Sequence, residues 1–252
     1  MSLLRMTDMS LSFGGVLAVQ DVSFDVFEGE VFSIIGPNGA GKTTLFNLIS
    51  RLYDADSGTL YFDDEDITKT PAHHIAELGI ARTFQNTELF EHETVLHNLL
   101  IGKHVYRKTN QLSEICFTPR VRRQELQFRQ EAEDVIDLLD LQHYRDQIIG
   151  NLPYGVRKMV EVARALCIKP KLLLLDEPSS GLNPEETEDL SFWLEDIKEE
   201  LGVTIIMVEH DMNLVSRSSN RVMALADGKC LAIGSPQEIQ SNAEVLRAYL
   251  GD

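Results

Sequence analysis

Apolar residues in this chain gather into short runs bounded by turn residues, and between those runs they recur at helical spacing. Val31 to Ile35 is one run, rich in β-branched and aromatic side chains, and reads as a buried strand. Lys171 to Leu175, entered from Pro170, is another; its lack of alternation suits a central parallel strand covered on both faces. Val203 to Val208 is a third. Weaker strand signals cover Leu3 to Phe13, Val22 to Val26, Thr59 to Phe62, Ile80 to Phe84, Arg221 to Leu225 and Cys230 to Ile233. Helical spacing covers Leu45 to Leu52, Pro71 to Leu78, Thr94 to Ile101, Glu131 to Leu141, Asn151 to Cys167, Glu185 to Glu200, Pro236 to Ser241 and Ala243 to Leu250. Strands alternating with helices predict an α/β fold with a mainly parallel sheet, preceded by two antiparallel strands.

The residues after the first run carry the clearest chemistry. Gly36-x-x-x-x-Gly41-Lys42-Thr43 is the phosphate-binding P-loop pattern, Walker A, in the strand–turn–helix context it requires. Gly36, Gly39 and Gly41 let the chain curl with its amides pointing inward, and Pro37, Asn38 and Ala40 complete the loop. Those amides and the helix N-terminus offer a positive concavity to polyphosphate. Lys42 can reach the β/γ phosphates, the Thr43 hydroxyl can ligate Mg²⁺, and Thr44 can contact the α-phosphate. An accidental glycine-rich turn would not come with a strand before it and a helix after it.

Other candidates sit where strands end. Asp176-Glu177 follows an apolar run, and α/β sheets place their sites at the carboxyl ends of strands. Adjacent residues point in different directions, so the pair can divide its work. Asp176 can hold Mg²⁺ through water, and Glu177 can orient and deprotonate an attacking water. His210 also follows a buried run; such a histidine is more often a core or capping residue. Phe13 reads equally as a core aromatic or as a ring able to stack on a base. Gln85, at a loop after a strand, means little alone. Asp63-Asp64-Glu65-Asp66 lacks the glycine and terminal glutamate of a calcium loop and reads as a solvated turn.

Composition narrows the class. The 252 residues are 43% hydrophobic and 25% charged, an ordinary globular balance. No stretch approaches the roughly 18 consecutive apolar residues of a membrane span, and the N-terminus lacks a signal-peptide core. Cys116, Cys167 and Cys230 are widely spaced and read as reduced cytosolic thiols. A net charge of −17 weighs against nucleic acid as a partner. Lys103 to Gln130 runs against that charge, with seven Lys/Arg and two Glu. It reads as a surface insertion paired with the chain's own acids, or as a contact surface for an acidic or membrane-proximal partner.

Taken in order, these pieces resemble the nucleotide-binding subunit of ATP-binding cassette (ABC) transporters. Within that family the likeness is to the ATPase subunits of branched-chain amino-acid importers. It covers Phe13 to Leu250: Walker A at Gly36–Thr43, a Q-loop at Gln85, a signature at Leu152–Val156, Walker B at Leu172–Asp176 followed by Glu177, a D-loop at Ser180–Asn183 and an H-loop at His210. The phrases FGGVLAVQDVSF, ARTFQNTELFEHETVLHNLL, LPYG, SGLNP, VEHDM and VLRAYLGD carry the closer likeness. The implied fold is a P-loop NTPase core with a mainly parallel sheet, an antiparallel β-subdomain and an α-helical subdomain. About 1–85 and 165–252 would form the core and about 86–164 the helical part, with the basic insertion 103–130.

The resemblance also implies a mechanism. Two such subunits, identical or related, would enclose ATP between Walker A of one and Leu152, Pro153, Tyr154 and Gly155 of the other, with Asn183 at the same interface. Phe13 would stack on adenine, Gln85 would touch Mg²⁺ and the attacking water, and His210 would contact the γ-phosphate. Closure would drive two membrane permease subunits, served by a substrate-binding protein, from a peripheral position on the cytoplasmic face of the plasma membrane. Asn86 to Leu100, with Leu89 and Phe90 among acids, would line the groove for a permease helix, or else would pack between subdomains.

Two motifs depart from the family pattern. The usual LSGGQ has become LPYGV, and Pro153 lacks the hydroxyl and N–H of the serine. Asn183 replaces the usual Asp and fits a heterodimer. Urea or amide import, lipopolysaccharide export and a soluble ABC ATPase are the competing functions. The soluble class usually has two cassettes or a long coiled coil, and this chain has one cassette and no heptad run.

Overall fold

A continuous apolar run needs cover on both faces, and the three longest runs in this chain receive it. The computed structural model describes residues 1–83, 89–106 and 118–250. In chain order its strands are β1 (Ser2–Phe13), β2 (Val16–Phe27), β3 (Val31–Ile35), β4 (Ser57–Phe62), β5 (Glu65–Asp66), β6 (Ile80–Arg82), β7 (Leu172–Asp176), β8 (Thr204–Val208), β9 (Arg221–Ala226) and β10 (Lys229–Gly234). Every residue of β3, β7 and β8 is buried. They lie side by side in a sheet ordered β10-β9-β3-β8-β7-β6, parallel except for the β9–β10 hairpin. Register brings their ends level: Ile34 pairs with Val208, and Val208 with Asp176.

The described helices are α1 (Lys42–Ile49), α2 (Ile75–Leu78), α3 (Val95–Gly102), α4 (Pro119–Leu138), α5 (Tyr154–Leu166), α6 (Pro184–Leu201), α7 (Met212–Ser218), α8 (Pro236–Ser241) and α9 (Ala243–Leu250). None is long and apolar enough to cross a membrane. The chain divides into two compact units, Met1–Gln85 with Lys171–Asp252, and Asn86–Pro170.

In the first unit an antiparallel sheet, β2-β1-β4-β5, shares one core with the parallel sheet. Leu45, Phe46 and Ile49 of α1 join Met6, Met9, Val22 and Leu60 from the antiparallel strands in that core. Phe24 of β2 stacks on Phe32 of β3, ring centroids 5.4 Å apart, so the aromatic contact joins the two sheets. Arg221 lies 5.3 Å above the Phe32 ring and pairs with Glu30 at 3.0 Å.

In the second unit α3 packs on α5 and α4. Gly102 makes that approach possible, because a Cβ there would stand 2.7 Å from the Arg164 carbonyl oxygen. Helix α4 begins at Pro119, earlier than the expected start at Glu131. Pro119 opens the first turn, and Val121 and Phe128 extend the buried stripe of Ala132, Val135 and Ile136. The described residues of the basic stretch from Pro119 onward are therefore helix. Strand β2 also starts earlier than expected, at Val16, because Gly14-Gly15 turns the chain directly out of β1. Of the acidic bend, Glu65 and Asp66 pair with Phe62 and Tyr61, so the turn closes a hairpin.

Part of the basic stretch pairs with the chain's own acids. Lys103, 1% exposed, donates to Glu131 at 2.6 Å, and Lys169 donates to the other carboxylate oxygen at 2.7 Å. Burial raises the Glu131 carboxyl, but hydrogen bonds from Lys103, Lys169 and Gln127 outweigh it and hold the group at about 2. A depressed carboxyl contributes stability above its ordinary pKa and loses it as pH falls through the folded value. Glu131→Ala, which leaves Lys103 buried without its counter-charge, should lower stability by about 3–5 kcal/mol at neutral pH. In urea unfolding the gap to wild type should close as pH falls from about 4.5 towards 2. A gap independent of pH would show that packing, not charge, holds this corner.

Candidate active site

The site is built where the three level strands end. After Ile35 the chain turns at Gly36, whose place a side chain cannot take: a Cβ would stand 2.1 Å from the Leu225 carbonyl oxygen. Gly41, immediately before α1, has φ 100° and would put a Cβ 2.4 Å from the Ala18 carbonyl oxygen. Pro37 is half-buried, Asn38 and Gly39 face solvent, and Ala40 is buried, its carbonyl accepting from Gly228 N–H at 3.0 Å. The first-turn amides of α1 have no intrahelical partner and point at this loop's concavity. Thr43 is exposed and Thr44 half-buried.

Lys42 is buried and curls back, donating to the carbonyl oxygens of Gly36 at 2.7 Å and Pro37 at 3.0 Å. Burial pulls its ammonium below the ordinary lysine value, while the carboxylates of Glu177 and Asp176 offset part of that effect. The loop lysine and the strand-end acids therefore share one electrostatic site.

Asp176 ends β7, 4% exposed, with Oδ2 3.1 Å from Nη2 of Arg82 at the end of β6. Arg82 is itself oriented by Asn47 Oδ1 at 2.7 Å and Ser50 Oγ at 2.8 Å, both from the P-loop helix region. Glu177 has φ 51°, uncommon for a long side chain, and its N–H donates to the Val208 carbonyl at 3.0 Å. Its Oε1 lies 2.7 Å from His210 Nε2, the histidine being carried by the loop after β8. His210 faces solvent, so it is neither a core residue nor a helix cap; Asp211 caps α7 instead.

A glycine cradle, a buried lysine and a strand-end acid pair together have the chemistry of a polyphosphate site. The ABC transporter family model matches residues 19–180, and a branched-chain amino acid ATP-binding cassette transporter model matches residues 229–252. The chain belongs to the ABC transporter family. It is 40% identical over 250 residues to the high-affinity branched-chain amino acid transport ATP-binding protein BraF of Pseudomonas aeruginosa, covering 99% of this chain and 98% of that protein. LivG of Escherichia coli strain K12, which carries the same description, is 38% identical over the same coverage. A crystal structure of an ABC transporter cassette in its ADP conformation superposes with a TM-score of 0.87 at 32% identity, each chain fully covered.

The other residues expected at the site fall as follows. Phe13, at the end of β1, is 47% exposed and meets Tyr53 edge-on with centroids 5.3 Å apart, which rules out the core reading. Asn183 caps α6: its Oδ1 accepts from Glu185 N–H at 2.9 Å and Glu186 N–H at 3.0 Å. In the second unit the stretch likened to the signature opens α5, with Leu152 and Gly155 buried and Pro153 and Tyr154 exposed. Arg157 fastens that turn by donating to the carbonyls of Leu152 at 2.9 Å and Gly150 at 2.8 Å. Leu89 is buried and Phe90 53% exposed, so only the second can serve as a surface anchor. Gln85 lies outside the described residues.

Three residues that sequence reasoning passed over belong here: Arg82, Tyr53 and Glu209. Arg82 and Glu209 each put a charge at the end of an apolar run, the signal that singled out Asp176 and Glu177. Arg82→Ala leaves Asp176 buried without this cation and should lower stability by about 3–5 kcal/mol in urea unfolding. Arg82→Lys should recover only part, since a point charge cannot span Asn47, Ser50 and Asp176. A loss in Arg82→Ala below about 1 kcal/mol would mean the pair has no structural weight.

Proposed function

We propose that this chain is the ATP-hydrolysing subunit of an ABC importer for branched-chain amino acids. The observation that carries the chemistry is the joining of Glu177 to His210 across the ends of β7 and β8, in the field of the P-loop lysine. The match at residues 229–252 and the full-length similarity to BraF and LivG support the substrate class.

Lys42 and the backbone N–H groups of the loop from Asn38 to Thr44 bind the phosphates, and Lys42 exchanges its two carbonyl acceptors for phosphate oxygens. Glu177 orients the attacking water and accepts its proton, and His210 contacts the γ-phosphate; the 2.7 Å approach of His210 Nε2 to Glu177 Oε1 supports this division. Phe13 stacks on the adenine. The Thr43 hydroxyl and the Asp176 carboxylate are hard oxygen donors that suit Mg²⁺, with Gln85 as a further ligand. Among the described residues no cluster of three or more His, Cys, Asp or Glu could hold a metal by itself. Mg²⁺ needs only one or two carboxylates and completes its shell with phosphate and water, so Asp176 is the one carboxylate this set requires. When bound, Mg²⁺ would neutralise phosphate charge. Leu152 to Gly155 and Asn183 of a second ABC subunit, identical or related, complete the enclosure. Two permease subunits and, through them, a substrate-binding protein are the further partners, with this chain peripheral on the cytoplasmic membrane face. Phe90 is the anchor offered to a permease helix.

Glu177→Gln should bind ATP close to wild type while losing turnover, because it deletes the base and leaves the cradle intact. Lys42→Ala should weaken ATP binding itself. Near-wild-type turnover in the first variant, or unchanged ATP affinity in the second, would contradict these roles.

Phe13→Ala should weaken ATP binding by about 1–3 kcal/mol in a titration, and Phe13→Trp should preserve it. Equal affinity in wild type and Phe13→Ala would leave the exposed ring without a ligand role.

A further inference from the structure

Glu209 is a buried carboxylate, 1% exposed, that the reaction as described leaves unused. It is the first residue beyond β8, and it is tied to β3 and to the loop that leaves β7. Its N–H donates to the carbonyl of Ile34 in β3 at 3.3 Å. Its Oε1 accepts from the N–H of Ser179, three residues beyond β7, at 2.8 Å. Its Oε2 accepts from the Ser179 hydroxyl at 2.8 Å, from His210 N–H at 2.9 Å and from Asp211 N–H at 3.3 Å. All four donors to the carboxylate, three backbone N–H groups and one hydroxyl, are neutral.

A buried anion is costly to desolvate, and an apolar side chain would close this corner of the fold without that cost. What only an acceptor with two oxygens can do is hold donors from two loops at once. One oxygen takes the β7 loop, and the other takes the β7 and β8 loops together. Those loops carry Glu177 and His210. Between Glu177 and Leu182 the β7 loop is closed by two turn hydrogen bonds, Ser180 N–H donating to Glu177 O at 3.1 Å and Leu182 N–H to Ser179 O at 3.0 Å. Ser179 thus lies inside the turn that Glu177 opens.

We propose that Glu209 is a positioning residue that sets the distance between Glu177 and His210, and so controls turnover without contributing to ATP affinity. The inference rests on the roles given to Glu177 and His210 above. Glu209→Gln keeps the shape of the side chain but turns one acceptor into a donor, which cannot accept from Ser179 N–H.

Single-turnover hydrolysis and equilibrium ATP binding should be measured on the full chain for Glu209→Gln, Ser179→Ala, Glu177→Gln and the Glu177→Gln/Glu209→Gln pair. The expected rate of Glu209→Gln is between about tenfold and 100-fold below wild type, with ATP affinity within about twofold. Ser179→Ala, which keeps its N–H bond, should show a smaller fall in the same direction. Added to Glu177→Gln, the Glu209 change should cost clearly less rate than it does in wild type, because part of its effect runs through the residue already lost. An undiminished rate in Glu209→Gln would overturn the proposal, and so would parallel losses of rate and affinity or a full additional loss in the double variant. If Glu177→Gln itself turns over like wild type, the reading of the site fails first, and the two failures are told apart by that variant.

Discussion

The structure depends on three parallel strands, β3, β8 and β7, being buried along their whole length and ending at the same level. Strands without a solvent face must be packed from both sides, and here the antiparallel sheet shares one core with them. Their ends are therefore fixed, and the loops that leave them inherit that rigidity. The P-loop, the acid pair and the histidine loop are such loops. Each is further locked by a backbone contact to a neighbour: Gly36 against Leu225, Glu177 to Val208, and Glu209 to Ile34.

Charge is arranged around this frame with little slack. A chain of net charge −17 places a buried lysine where polyphosphate would bind, and it surrounds that lysine with carbonyl oxygens and two carboxylates. Buried charges elsewhere are also held: Asp176 by Arg82, Lys103 by Glu131, and Glu209 by four neutral donors. These groups oppose the preference of charge for water, so each depends on the geometry of its partners.

Much of the site could be read from the residues, because local spacing creates it. A glycine-rich turn between a strand and a helix needs no tertiary information, and an acid pair after an apolar run marks a strand end. What stayed hidden depends on pairing between distant segments. Arg82 gains its meaning from Asp176, 94 positions away, and Glu209 from Ser179, 30 positions away. The start of α4 was concealed because its first half buries only Val121 and Phe128 among many polar residues. Leu89 and Phe90 look alike in sequence, and only packing separates the buried residue from the exposed one. Phe13 could not be assigned to core or surface by alternation, whereas its 47% exposure beside Tyr53 decides the question.

The central claim is that the amides between Gly36 and Thr44, fixed by the end of β3, hold the polyphosphate of ATP. Hydrogen exchange with and without Mg²⁺ and ATP tests it directly. The account predicts that nucleotide slows exchange at residues 36–44, beyond any change in β3 itself, which is already protected by its two neighbouring strands. Unchanged exchange across 36–44 under saturating nucleotide, with protection appearing elsewhere in the chain, would contradict it.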